Sequence, residues 1–177
     1  MSYKNLKSYQ QTEIIYDFTV DFCKKYIYFS SRTIDQMTQA ARSGKQNIVE
    51  ATSNPTSEKS ELKLLGVARA SLEELLEDYK DFLRQHDLLI WEKDHNLAHE
   101  VRQLAYKTYT SHMSYRSYID NAETAANAMI CLINQTNYLL DRQIKSVEEN
   151  FIKKGGYSEN LHKQREQERK RKGTWLR

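Results

Sequence analysis

The residues of this 177-residue chain with the most evident chemical potential are a histidine pair, a band of carboxylates and two groups of cations. His95 and His99 stand four apart, with Glu92, Asp94 and Glu100 beside them, so a helix would bring both imidazoles to one face. A zinc site needs a third protein ligand and an acceptor behind each imidazole. The order His95-Asn96-Leu97-Ala98-His99 also lacks the glutamate that a metalloprotease helix uses as its base. The expectation is a solvated helix and no metal. Glu73, Glu74, Glu77, Asp78 and Asp81 fall within about 140° of one another on a helix. Without histidine among them they read as an exposed acidic face, not a catalytic cluster. No Gly-x-Ser-x-Gly elbow or phosphate-binding glycine loop occurs. Arg84 precedes His86 with one residue between, and Arg102 precedes His112 with nine between. Helical RNA-cleaving domains of the HEPN type place the histidine about one turn or slightly more beyond the arginine. Neither spacing fits. The chain is expected to be no enzyme and to need no cofactor.

The cations carry a different expectation. The formal charge of +3 hides an asymmetry: residues 161–177 hold seven Lys/Arg against two Glu, while the other 160 residues have a net charge of −2. In the tail, Lys163, Arg165, Arg169, Lys170, Arg171 and Lys172 could pair phosphates, and Trp175 could stack on a base. The same residues suit a solubilising tail, or one docked on the acidic face of a neighbouring subunit. Arg42 and Lys45 lie one turn apart on one side of a helix, with Lys45 about 60° from its buried stripe and so near a subunit boundary. Arg32 lies further round; ordinary surface charge is the alternative for all three.

These groups must be positioned by helices. Charged residues make up 29% of the chain, with only five glycines and one proline, a composition that favours an all-α fold. No apolar run approaches the ~20 residues that span a bilayer, and the polar N-terminus lacks a signal-peptide pattern. Cys23 and Cys131 fit no disulfide framework or zinc knuckle. A cytoplasmic protein is expected. The organising stretch is Leu65, Ala68, Leu72, Leu75, Tyr79 and Phe82, spaced 3, 4, 3, 4 and 3, a helical stripe opposite the acidic band. Before it, Ile15, Phe18, Phe22, Tyr26 and Phe29 form one stripe, and Ile34, Met37, Ala41, Gly44, Ile48 and Ala51 another. Ser30 and Ser31 offer N-cap hydroxyls, Asn54-Pro55 ends the second helix, and Thr56 or Ser57 caps the third. Leu88-Trp91 reads as folding back on the helices, 94–111 as a looser helix carrying Leu97, Val101, Leu104 and Tyr109. The segment from Thr108 to Tyr118 is undefined by pattern.

The last long helix has two seams. One runs through Ala126, Ile130, Ile133, Asn137, Leu140, Ile144, Val147 and Phe151, the other through Ala125, Met129, Leu132, Thr136 and Leu139. The second seam suggests self-association; Asn137 either fixes register or bonds to nearby backbone or water. Gly155-Gly156 closes the helix, and the chain beyond reads as a solvated helical extension or a disordered tail. The expected division is a helical body over 1–154 and a basic extension over 155–177. Its helices lie at about 9–29, 31–53, 57–86 and 118–153, with an extra helical insertion at about 88–117.

Leu6 to Asp87 resembles the bacterial four-helix-bundle family of 23S rRNA intervening-sequence proteins. The likeness is strongest in Gln36-Met37-Thr38-Gln39-Ala40-Ala41-Arg42-Ser43-Gly44-Lys45-Gln46-Asn47-Ile48-Val49-Glu50-Ala51, and continues in Ser57-Glu58 and in Ala68-Arg69-Ala70-Ser71-Leu72-Glu73-Glu74-Leu75. Asn121 to about Arg165, including Tyr138-Leu139-Leu140-Asp141-Arg142-Gln143, is similar to the extension of a subgroup called four-helix-bundle suffix proteins. The chain departs from the commoner pattern at Gly44-Lys45-Gln46 and in its long insertion. The resemblance implies an up-and-down four-helix bundle assembled into a homo-oligomeric ring, a pentamer, with a non-catalytic role beside structured RNA or a nucleic-acid enzyme. The expected function is an RNA-associated scaffold or accessory factor that binds nucleic acid electrostatically. The alternative is an adaptor that recruits a partner enzyme, such as a reverse transcriptase, without touching nucleic acid.

Overall fold

The computed structural model describes residues 3–53, 57–107 and 111–173. Readings that rest on Asn54, Pro55, Thr56, Thr108, Tyr109 and Trp175 lie outside those residues. The described residues form six α-helices: α1 (Lys7–Tyr26), α2 (Thr33–Ser53), α3 (Glu58–Gln85), α4 (Asn96–Tyr106), α5 (Ala122–Lys154) and α6 (Tyr157–Gly173). Short 3-10 segments occupy Tyr3–Asn5 and His112–Asp120, and no strand occurs among the described residues. None of their helices is long and apolar enough to cross a membrane.

The apolar stripes become the core. α2 packs on α3, α3 on α5, and α1 on both α2 and α5. Side-chain contacts give the directions. Cys23 Sγ lies 3.9 Å from Met37 Sδ, and Lys45 Nζ stands 4.4 Å over the Tyr16 ring, so α1 and α2 run antiparallel. Asn137 Nδ2 donates to Glu73 at 3.2 Å and Arg69 Nε to Asp141 at 3.1 Å, so α3 and α5 run antiparallel too. Every residue of the α3 stripe is buried. Phe22 anchors an aromatic cluster with Tyr79 and Phe82, each ring centroid 4.9 Å from its own. The Tyr79 hydroxyl, taken from water there, finds Thr19 Oγ1 at 2.9 Å, as a buried hydroxyl must.

Gly44 is the closest helix approach that the sequence pattern points to. A Cβ built on it would come within 2.8 Å of Leu72 Cδ2. Ser43 and Ser71 share a hydrogen bond of 2.8 Å beside it. The small residues of α2 thus trade helix propensity for proximity of α3.

Several boundaries differ from the periodicity, each for a local reason. α1 stops at Tyr26 because Ile27 turns extended (φ −102°, ψ 135°), which leaves Tyr28 and Phe29 in the connection. Phe29 is 82% exposed, so the place given to it in the buried stripe is corrected. α2 begins at Thr33, whose N–H is accepted by Ser31 Oγ at 3.2 Å. Ser57 stands at the α3 N-cap, but its side chain makes no cap bond there. α3 ends at Gln85, and Asp87 takes a positive φ of 55° while Leu88 N–H reaches back to Leu83 O, a helix-closing turn usually given to glycine. The last long helix starts at Ala122 rather than 118, because Asn121 caps it by accepting from Thr124 N–H at 2.9 Å.

Within the insertion, Tyr115 and Tyr118 of the 3-10 segment are buried, and Tyr26 OH donates to Ile119 O at 2.6 Å. Asn127 of α5 ties down the irregular stretch before α4. Its Oδ1 accepts from Trp91 N–H and its Nδ2 donates to Leu89 O, each at 2.8 Å. Both seams of α5 are largely buried between Ala125 and Leu140, where α1, α3, α4 and the 3-10 segment of the same chain pack on it. Burial of the second seam therefore needs no second copy. Asn137 neither bonds to nearby backbone nor faces water: its amide donates across to Glu73 on α3, a bond compatible with a register-fixing role, and its Oδ1 is buried without a partner among the described residues.

Candidate nucleic-acid interface

The basic extension is helical, and it stands clear of the core. α6 has no buried residue among its described positions. Its apolar content is too low and too scattered to make a stripe, which removes the usual reason for a helix to dock. Its base is fixed by three local devices. Gly155 accepts a positive φ of 74°, where its N–H closes α5 on Phe151 O at 2.9 Å. Glu58 Oε2 of α3 accepts from Tyr157 N–H at 3.2 Å, a carboxylate at the positive end of α6. Asn160 Nδ2 donates to Gly155 O at 3.3 Å.

From that base α6 carries Lys163, Arg165, Arg169, Lys170, Arg171 and Lys172, all exposed. Three carboxylates accompany them: Glu159, Glu166 and Glu168. Glu168 lies 3.1 Å from Arg171 and 3.8 Å from Lys172, exposed contacts of the kind that contribute little. The cations point all round the helix at 100° per residue, so the arm offers charge in every direction and no face for a matching partner helix.

The remaining candidate cations belong to another element: Arg42 and Lys45 lie on α2, and Arg32 just before it. Arg32 and Arg42 are exposed, while Lys45 is half-buried with its ammonium over the Tyr16 ring of α1. That contact gives the Lys45 ammonium a partner on α1 of the same chain. The acidic band of α3 is partly neutralised: Arg69 bridges Glu73 and Asp141, Lys80 pairs with Glu77 at 2.7 Å, and Arg84 with Asp81 at 2.7 Å. Burial, and then Asp81 and Glu74, push the Asp78 carboxyl above its ordinary range. The two histidines separate as well. His95 precedes α4 as its N-cap residue and stacks on Trp91 with centroids 4.8 Å apart, whereas His99 turns to Gln103 at 3.2 Å. No group of three or more His, Cys, Asp or Glu able to hold a metal occurs among the described residues.

Comparison of the chain with protein-family models, with curated proteins and with solved structures finds no match in any of the three. Sequence pattern passes over one assembly, the cleft that Trp91, Arg102, Gln135 and Arg142 line, because its members come from three separate segments. The orphaned apolar run Leu88-Trp91 is the signal that something lies there.

Proposed function

We infer that this is a non-catalytic, nucleic-acid-associated protein: an up-and-down four-helix bundle of α1, α2, α3 and α5 that displays α6 as a cationic arm. The observation that carries the reading is α6 itself, 17 residues with none buried and with six Lys/Arg against three Glu. A helix without an apolar face gains nothing from the body it is attached to, and its charge is left to displace counterions from phosphates. Binding is then electrostatic and largely independent of sequence. Self-association, pentameric in the family that the sequence resembles, would repeat the arm and raise avidity. Structured RNA is the partner this reading favours, in the cytoplasm.

A second reading has its own observation. Tyr28 and Phe29, 68% and 82% exposed, pair their rings at 4.7 Å between α1 and α2, an apolar knuckle suited to a protein partner. This is the adaptor reading, in which a nucleic-acid enzyme is recruited without direct nucleic-acid contact.

Fluorescence anisotropy with a structured RNA, at two salt concentrations, separates the two. The full chain is compared with Arg169→Gln/Lys170→Gln/Arg171→Gln/Lys172→Gln, which leaves the body untouched. The scaffold reading expects affinity to fall and the salt slope to shrink by about 0.9 for each phosphate that the variant no longer neutralises. Unchanged affinity in the variant overturns it. Light scattering on the same samples gives the subunit number, and a monomer throughout overturns self-association.

A further inference from the structure

A cleft of about 730 Å³ with no lining residue from α6 is bounded by α4, α5 and the stretch before α4, with Gln11 of α1 and the Glu77-paired Lys80 of α3 completing its lining. That volume falls in the range of small-ligand sites, about 300–1,000 Å³. Its walls divide by chemistry. On the aromatic side Trp91 lies nearly flat on His95, 9° between planes, while Tyr106 and Tyr138 stay 78% and 59% exposed at the rim. Trp91 gives one face to His95, and the exposed Tyr106 and Tyr138 rings offer surface on which a planar guest can stack.

The cationic side holds Lys93, Arg102 and Arg142, none of which has a carboxylate within 4.0 Å among the described residues. Arg102 is steadied by donating to the Lys93 carbonyl, and Arg142 stands 5.9 Å over the Tyr138 ring. Three unpaired cations around one concavity, against the single Glu92, make a site for an anion. Gln135 braces this side: its Nε2 donates to the Arg102 carbonyl at 3.1 Å, which ties α4 to α5 beside the guanidinium, while its Oε1 is buried and not presented to the cleft.

We propose that this cleft binds a free nucleoside monophosphate. The base stacks on the rim tyrosines; the phosphate lies among Arg142, Arg102 and Lys93. A planar carboxylate would suit the rings but brings one negative charge to three cations, where a phosphate monoester brings about two. A fatty acid would leave the aromatic rim without a planar partner. The site requires nothing of α6 and stands whether or not the arm binds RNA.

Calorimetry on the full chain tests it with AMP, GMP, CMP and UMP, with the matching nucleosides, and with inorganic phosphate. Variants Arg142→Gln and Tyr138→Ala change exposed side chains, and thermal unfolding by circular dichroism checks that they fold. At least one monophosphate is expected to saturate a single site per chain. Its nucleoside and phosphate alone should bind about tenfold more weakly or worse, and each variant should lose about tenfold. The Arg169→Gln/Lys170→Gln/Arg171→Gln/Lys172→Gln chain should bind as the wild type does. Absence of saturable binding for all four monophosphates overturns the proposal. So does phosphate or a nucleoside that binds as tightly as the nucleotide, indifference to both cleft variants, or loss of binding in the α6 variant, which would move the site to the arm.

Discussion

α3 and α6 are both rich in charge, yet one is the centre of the molecule and the other touches almost none of it. α3 holds nine buried residues on a continuous stripe; α6 holds none. The difference lies in order, not in helical tendency. Leucine, alanine and tyrosine recur on α3 at the helical period, so burying them stabilises helix and neighbours together. α6 has good helix formers in Glu, Gln, Lys and Arg, but nothing to bury. Tertiary packing makes α3 irreplaceable, while α6 can be all surface.

The comparison breaks first at Leu72. Leu72→Ala removes a fully buried side chain and is expected to cost about 3 kcal/mol in urea unfolding. The same residue sharpens the role of Gly44. Gly44→Ala in the wild type drives a methyl against Leu72 and should destabilise by about 1–2 kcal/mol. In the Leu72→Ala background that obstacle is gone, and the gain in helix propensity should make the substitution neutral or stabilising. A clash with anything other than Leu72 would leave the two effects additive.

Next in size is Asn127→Ala, which strands Leu89 O and Trp91 N–H at once and should cost about 2 kcal/mol. Smaller, and of opposite sign, is Asp78→Asn on α3. Because burial and its acidic neighbours raise the folded pKa, this carboxyl supports the fold fully below its unfolded value and ceases to as pH rises through the folded one. The neutral amide should therefore raise the melting midpoint at pH 7 by about 1–2 °C, with the gain fading as pH falls towards about 4. Smallest of all is Gln167→Gly in α6. It should leave the unfolding midpoint within about 0.5 kcal/mol of wild type while lowering the helical signal, since that helix supports nothing else.

The stripes of α2 and α3 could be read directly from the chain because a two-sided helix advertises its buried side at a fixed spacing. Leu65, Ala68, Leu72, Leu75, Tyr79 and Phe82 needed no structure to be placed together. Phe29 continued such a spacing and was misplaced by it, since periodicity carries no mark for a helix that has already stopped. The second seam of α5 was legible as buried, but not what buries it: α4 and the 3-10 segment are short and weakly patterned, and Tyr115 and Tyr118 sit in a run without helical period. The cations of α6 were plain from composition. The cleft was not, because Trp91, Arg102 and Gln135 meet only when α4 and its approach fold onto α5.

Asn127 has a consequence for time as well as for place. One side-chain amide serves the carbonyl of Leu89 and the N–H of Trp91, two residues apart, much as one residue of an adjoining strand would. The Trp91 amide belongs to no helix, yet it can reach solvent deuterium only when α5 surrenders its side chain. In native-state hydrogen exchange that single proton should keep the slow clock of a buried helix, while the exposed Glu92 and Lys93 amides beside it exchange on the fast clock of a loop.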